Sequence, residues 1–326
     1  MPRPALPALL LAATLAAQNF PLVIVEKKAG AVGFYSPAGQ RIGGVKIGEH
    51  PHEIVLAPDG RTAYISNNGI LWMQYAGEGG NTISIVDVKT RALIGTIDLG
   101  THRRPHGLAL DGKRNLLYST IENPDGMVMI DLATRKVVRR FDVKGEDPHM
   151  VLLSPDGETA FVSNTGTGTV AAINVTTGAT KLIPTDKRPQ GGVLSKDGKL
   201  IYMTNSEGNS ITIIDVARQE NVGRIETGKG PNRIVLTPDG KTLVYSMQAG
   251  ELVGWVDIAS RKQTHTAKLP GPPLSLLLSP DGMWAYVGVQ DHDTVAIVSI
   301  ADHKIAKTFK TPVGAGPDPV LALASR

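Results

Sequence analysis

No cysteine occurs in the chain, and that one absence excludes disulfides, cysteine-ligated metals, thiol nucleophiles and a c-type haem attachment. Aromatic residues are scarce at 5%. With no aromatic series interleaved among the basic residues, there is no stacking platform for single strands, and no nucleic-acid partner is expected. Neither sign of charge dominates: 34 Lys and Arg face 30 Asp and Glu, a net +4 at pH 7. No P-loop and no Gly-Xaa-Ser-Xaa-Gly turn is present. The one apolar run, Ala5 to Ala17, is too short to span a bilayer.

That run reads as a targeting segment. Arg3 gives a small positive start, and Leu15-Ala16-Ala17 offers a small-residue cleavage site before Gln18. The segmentation expected is a signal peptide over 1–17 and one exported domain over 18–326, in the periplasm or outside the cell. With no cysteine to follow the leader, a lipid anchor is excluded, and the mature chain has no expected membrane span. It is expected to be a monomer.

Turn residues are abundant, with 36 Gly and 22 Pro, and they recur in register. A proline opens each unit at Pro51, Pro105, Pro148, Pro189, Pro231, Pro273 and Pro317. An Asp-Gly turn follows at Asp59-Gly60, Asp111-Gly112, Asp156-Gly157, Asp197-Gly198, Asp239-Gly240 and Asp281-Gly282. A third anchor is a polar residue late in each unit: Asp87, Asp131, Asn174, Asp215, Asp257 and Ser299. Short Val/Ile/Thr-rich runs lie between these anchors, four per unit of about forty residues, which is the size of a propeller blade. Leu22 to Ile47 holds three strands without a first, and Pro317 to Leu323 holds a first strand without the others. The fold class expected is all-β: a seven-bladed β-propeller of four-stranded blades, closed by the C-terminal strand pairing with the three N-terminal strands.

Within the units, Ala63-Tyr64-Ile65-Ser66-Asn67, Ala160-Phe161-Val162-Ser163-Asn164 and Ile201-Tyr202-Met203-Thr204-Asn205 resemble the Tyr-Val-Thr-Asn repeat of the YVTN β-propellers. The resemblance covers essentially the whole mature chain, and the Gly-His and Trp-Asp signatures of WD40 blades are missing. It implies the fold and leaves the activity open, since that family includes surface proteins, periplasmic binding proteins and relatives of haem-d1 propellers. A weaker similarity to the 6-phosphogluconolactonase and muconate-cycloisomerase propellers rests on the Pro-His opening and an acidic residue after the second strand.

Function then has to come from one face. The residue after each opening proline forms a ring around the channel mouth: His52, His106, His149, Gln190, Asn232, Leu274 and Asp318. The loops after the second strands form another, with Lys27, Asn68, Glu122, Thr165, Ser206, Gln248 and Gln290. A twelve-residue insertion, 69–80, carries Trp72, Met73 and Tyr75 beside His52 and is expected to act as a partial lid.

Three readings follow from this face. In the first, the protein is a binding or scaffold module. A small anionic ligand or a protein segment would be held at the mouth by Arg104, Arg188, Gln190, Asn232, Arg233, Trp72 and Tyr75. In the second, it is an enzyme of lactone-hydrolysing or cyclising type, with His106, His149 and Glu122 in acid–base roles. In the third, His52, His106 and His149 hold a divalent transition metal, three imidazoles with an open position being a catalytic arrangement. The chain lacks a nucleophile and closely spaced metal ligands, so the first reading leads.

Overall fold

The computed structural model describes residues 20–324, so the leader expected over 1–17 lies outside the described residues. The strands group into seven antiparallel sheets of four. Six are built from consecutive strands, and the seventh joins Pro317–Ala322 to the three N-terminal strands. In that closing blade Leu22 pairs with Ala322, Val23 with Leu321 and Ile24 with Val320. Blades are numbered 1 to 6 from the unit opening at Pro51, and the closing blade is blade 7. Among the described residues no helix is long and apolar enough to cross a membrane.

The blade pattern follows from which faces are covered. Inner and middle strands such as Leu22–Glu26 and Ala31–Tyr35 are buried at every residue, because each packs on a neighbouring blade through both faces. The outermost strand of a blade alternates, as in Lys304–Lys310, with every second residue in solvent. The apolar core therefore lies between blades. Leu22, Ile24 and Tyr35 of the closing blade pack on Trp284, Tyr286 and Ile297 of blade 6. On its other side Val23, Val25 and Phe34 meet Ala63, Ile65 and Val86 of blade 1.

The recurring polar anchors are turn devices. Asp87 Oδ1 accepts from the backbone N–H of Lys89 and Thr90, both at 2.9 Å, and Asp131, Asn174, Asp215 and Asp257 make equivalent bonds. In five Asp-Gly turns the glycine takes the left-handed conformation, from 63° at Gly60 to 75° at Gly240. The second repeat departs from the expected pattern. There Asp111 ends the strand, Gly112 is not left-handed, and Asn115 takes that conformation with φ 56°. The two-residue shortening from Pro105 to Asp111 moves the reversal of the chain past the Asp-Gly pair.

Candidate site at the channel mouth

Two local devices aim the ring residues inward. The residue before an opening proline is left-handed at His50, Arg104, Asp147, Arg188, Gly230 and Gly316, which turns the chain sharply into the first strand. The ladder then loses register just after the proline, between Pro51 and Ile54, Pro105 and Leu108, and Pro148 and Val151. Such an irregularity re-aims a side chain at the expense of sheet bonds.

A hydroxyl restores those bonds. Ser66 Oγ accepts from Glu53 N at 3.0 Å and donates to His106 O of the next blade at 2.7 Å. Thr120 repeats this between Gly107 N at 2.8 Å and His149 O at 2.7 Å, and Ser163 between Met150 N at 3.0 Å and Gln190 O at 2.9 Å. The Ser/Thr of the repeat is therefore an inter-blade clamp on the backbone of the ring. Replacing Thr120 with Val strands two buried backbone groups, and a loss of roughly 1–3 kcal/mol is expected in urea unfolding. An unchanged midpoint would assign the hydroxyl no such role.

All seven ring residues line one cavity of about 360 Å³ at the mouth, together with Lys27, Arg188, Ser206, Arg233 and Gln248. The insertion covers part of it. Leu71, Trp72, Met73 and Gln74 face the cavity, whereas Tyr75 does not line it and is 53% exposed. Arg104 does not line it either. Its guanidinium donates to Met73 O at 2.7 Å, which ties down the insertion, and Nη2 lies 2.9 Å from Glu122 Oε2 without alignment for a hydrogen bond.

The three histidines come together. His52, His106 and His149 are 3%, 3% and 5% exposed, with ring centroids 4.5 Å apart for the first pair and 4.2 Å for the second. His52 Nε2 bonds Ile70 O of the insertion at 2.7 Å, and its Nδ1 lies 3.4 Å from His106 Nε2. His106 Nδ1 meets Glu122 Oε1 at 2.7 Å. The rings are engaged with one another, with Glu122 and with the insertion. Among the described residues no group of three or more His, Asp or Glu side chains is arranged to hold a metal ion.

This chain fixes its own proton count. Ile70 O only accepts, so a neutral His52 carries its hydrogen on Nε2 and presents a lone pair at Nδ1. The contact to His106 then needs a hydrogen on His106 Nε2. If His106 is neutral its Nδ1 is bare, and Glu122 must bring the proton. The alternative is an imidazolium beside a carboxylate. Either way the His106–Glu122 pair holds one proton and has no net charge.

Burial sets the titration of the whole mouth. It pushes Glu122 and Glu53 up to about 7, against the pull of Arg104 on the first and of Arg233 on the second. It holds all three histidines well below their usual 6.5, helped by Lys27 at His52, by Arg233 at His106 and by His106 at His149. Lys27 is lowered by burial as well, although Asp318 Oδ2 is 3.4 Å away. Its ammonium lies 5.6 Å from the centroid of the Trp72 ring.

Two features of the site were not anticipated. Glu53 pairs with Arg233 across 180 residues of sequence, and Lys27 and Asp318 form a second buried ion pair. Lys27 and Asp318 were visible as ring members, but nothing local links Glu53 to a blade on the other side of the channel. Arg188 lines the cavity beside Glu207, with 3.7 Å between the charged atoms.

Comparison with known proteins supplies the relationship. The sequence profile of a family described as YNCE-like beta-propeller matches residues 66–264. No curated protein matches the chain. The structure is similar to the periplasmic gluconolactonase PpgL of Pseudomonas aeruginosa, with TM-score 0.77 and 16% identity over 94% of this chain and 99% of that one. A protein of unknown function from Desulfotomaculum acetoxidans gives TM-score 0.77 and 12% identity, over 93% and 98%. Kuenenia stuttgartiensis hydrazine synthase gives 0.65 and 23%, over 77% and 76%. At these identities the likeness is one of fold.

Proposed function

The chain belongs to the YNCE-like β-propeller family, and from that footing we propose that it is an exported binding protein that takes a small anion at the mouth of its channel. One observation carries the reading. Lys27, Arg188 and Arg233 line a single cavity, and Arg233 Nη1 is buried there with no hydrogen-bond partner. A buried cationic donor left unmade costs more than an ordinary hydrogen bond, and an incoming carboxylate or phosphate relieves it. The leader expected over 1–17 supports a periplasmic or extracellular setting.

A second reading has one specific support. The His106–Glu122 pair holds a mobile proton beside the cavity, as an acid–base step in lactone opening or cyclisation requires. The name of the Pseudomonas protein points to lactone hydrolysis there. His106 Nδ1 is taken by Glu122, and Nε2 reaches a substrate only by giving up its 3.4 Å contact to His52, so binding remains the better account.

The test is a titration of tag-free protein with propanoate, lactate, citrate and inorganic phosphate at constant ionic strength, following tryptophan fluorescence. Trp72 lines the cavity while Trp255 and Trp284 are buried between blades, so the response is expected to vanish in Trp72→Phe. Arg233→Met combined with Glu53→Gln, which avoids a stranded carboxylate, is expected to weaken binding by roughly 10–100-fold, the worth of a hydrogen bond to a charged group. No response to any of the four probes, or unchanged affinity in the double variant, overturns the proposal.

A further inference from the structure

We infer that the anion is a polyhydroxy carboxylate, a small acid bearing two or more hydroxyl groups. The inference rests on the binding role proposed above and concerns what the rest of the cavity demands. Among the described residues, four cavity-lining residues carry buried polar atoms without a partner: His149 Nδ1, Asn232 Oδ1, Asp318 Oδ1 and Arg233 Nη1. Asn232 Oδ1 and Asp318 Oδ1 accept, Arg233 Nη1 donates, and His149 Nδ1 does either according to its tautomer. Arg233 asks for an anionic acceptor, and the two oxygens ask for hydrogens.

A plain carboxylate or a fully ionised phosphate has no hydrogen to give, so it satisfies Arg233 and leaves both oxygens bare. A single ammonium does not serve either. In ring order Asn232 and Asp318 belong to blades 5 and 7, with blade 6 between them, so the two oxygens enter the cavity from separate blades. Separate O–H donors along a short chain match that spread.

The remaining wall agrees. Gln190 Nε2 reaches Ser206 Oγ, and Asn232 Nδ2 reaches Gln248 Oε1, each at 3.4 Å. Those bonds are at the long limit and are readily exchanged for bonds to a ligand hydroxyl. The Trp72 ring on the same cavity offers a flat apolar face to the C–H side of such a chain. The volume, about 360 Å³, leaves room for several carbons and their hydroxyls.

The experiment is a calorimetric series with propanoate, lactate, glycerate and gluconate, which add hydroxyls to one carboxylate, with glycerol as the neutral control. Affinity is expected to rise along the series, by about tenfold or more from propanoate to gluconate, at the usual worth of one or two added hydrogen bonds. Glycerol should not compete. Asn232→Leu should lower the affinity for gluconate by a larger factor than that for propanoate, and an equal loss for both would overturn the hydroxyl contact. Equal affinity for propanoate and gluconate overturns the hydroxyl inference while the anion site stands. Glycerol competing as well as gluconate overturns the carboxylate part. If no acid binds, the binding role falls and this inference with it.

Discussion

A chain ending at Gly316 is expected to lose its cooperative unfolding transition. The strand Pro317–Ala322 is the innermost member of the closing blade, and without it Leu22–Glu26 becomes an unpaired edge facing the channel. Val320 is fully buried in the cluster shared with blade 6, and Leu321 packs on the cluster shared with blade 1. Full burial of a side chain such as Val320 stabilises by roughly 1.5–3 kcal/mol, and the partly buried Leu321 adds less. Asp318 leaves too, stranding the buried ammonium of Lys27. Together with the lost ladder bonds, these terms approach the whole stability of an ordinary domain, about 5–15 kcal/mol. Circular-dichroism melting should show a broad, non-cooperative change; a sharp transition at the full-length temperature would contradict closure as a stabilising element.

That closure was legible in the sequence because repeats expose what is missing. Three strands at one end and one at the other add up to a blade, and the prolines and Asp-Gly turns count the rest. The histidine ring was legible for the same reason, since equivalent positions in consecutive repeats must be neighbours. What repeats do not encode are contacts across the channel and choices made inside loops. Glu53 finds Arg233 from the opposite side of the ring. Arg104 and Arg188 occupy the same place in their repeats, yet Arg188 lines the cavity while Arg104 turns to Met73 O and Glu122, because only its blade faces the insertion. Tyr75 points outward for a related reason: Tyr75 N bonds Trp72 O, which curls the segment so that Trp72 faces in. The Asp111-Gly112 turn misled because a two-residue deletion moved the bend and left the pair behind.

The second large effect is expected at Glu122. Its removal in Glu122→Ala leaves His106 Nδ1 bare and opens a space beside Arg104, which is largely buried. Leaving a buried polar group without a partner costs about 1–3 kcal/mol. Glu122→Gln should behave oppositely, because its amide donates to His106 Nδ1 permanently and keeps the chain to His52 and Ile70 intact.

The pH dependence separates the two further. Glu122 has its folded pKa raised to about 7, so the stability it contributes is full below the unfolded carboxylate value and is lost as pH rises through about 7. Glu53 behaves the same way. The histidines are lowered, so their contribution is full above about 6.5 and is lost as pH falls below it. Glu122→Gln removes one term that opposes the histidines. It should therefore be more stable than the native chain at pH 8, by up to roughly 3 kcal/mol given ~1.4 kcal/mol per pKa unit. The gain should disappear toward pH 4.5, near the unfolded carboxylate value. Parallel stability curves for the two proteins from pH 4.5 to 8 would mean that Glu122 shares no proton with His106.

The claim on which the account turns is that the mouth is built to receive a ligand, with His149 and Arg233 among the groups left open to it. Nitrogen-15 spectra of histidine and arginine side chains, recorded during titration with gluconate at constant ionic strength, test this most directly. The account predicts saturable shifts at His149 and Arg233, with His265 and His303, stacked on each other at 3.7 Å outside the cavity, unchanged. Spectra in which the mouth residues stay fixed, or in which all histidines drift together without saturation, would contradict it.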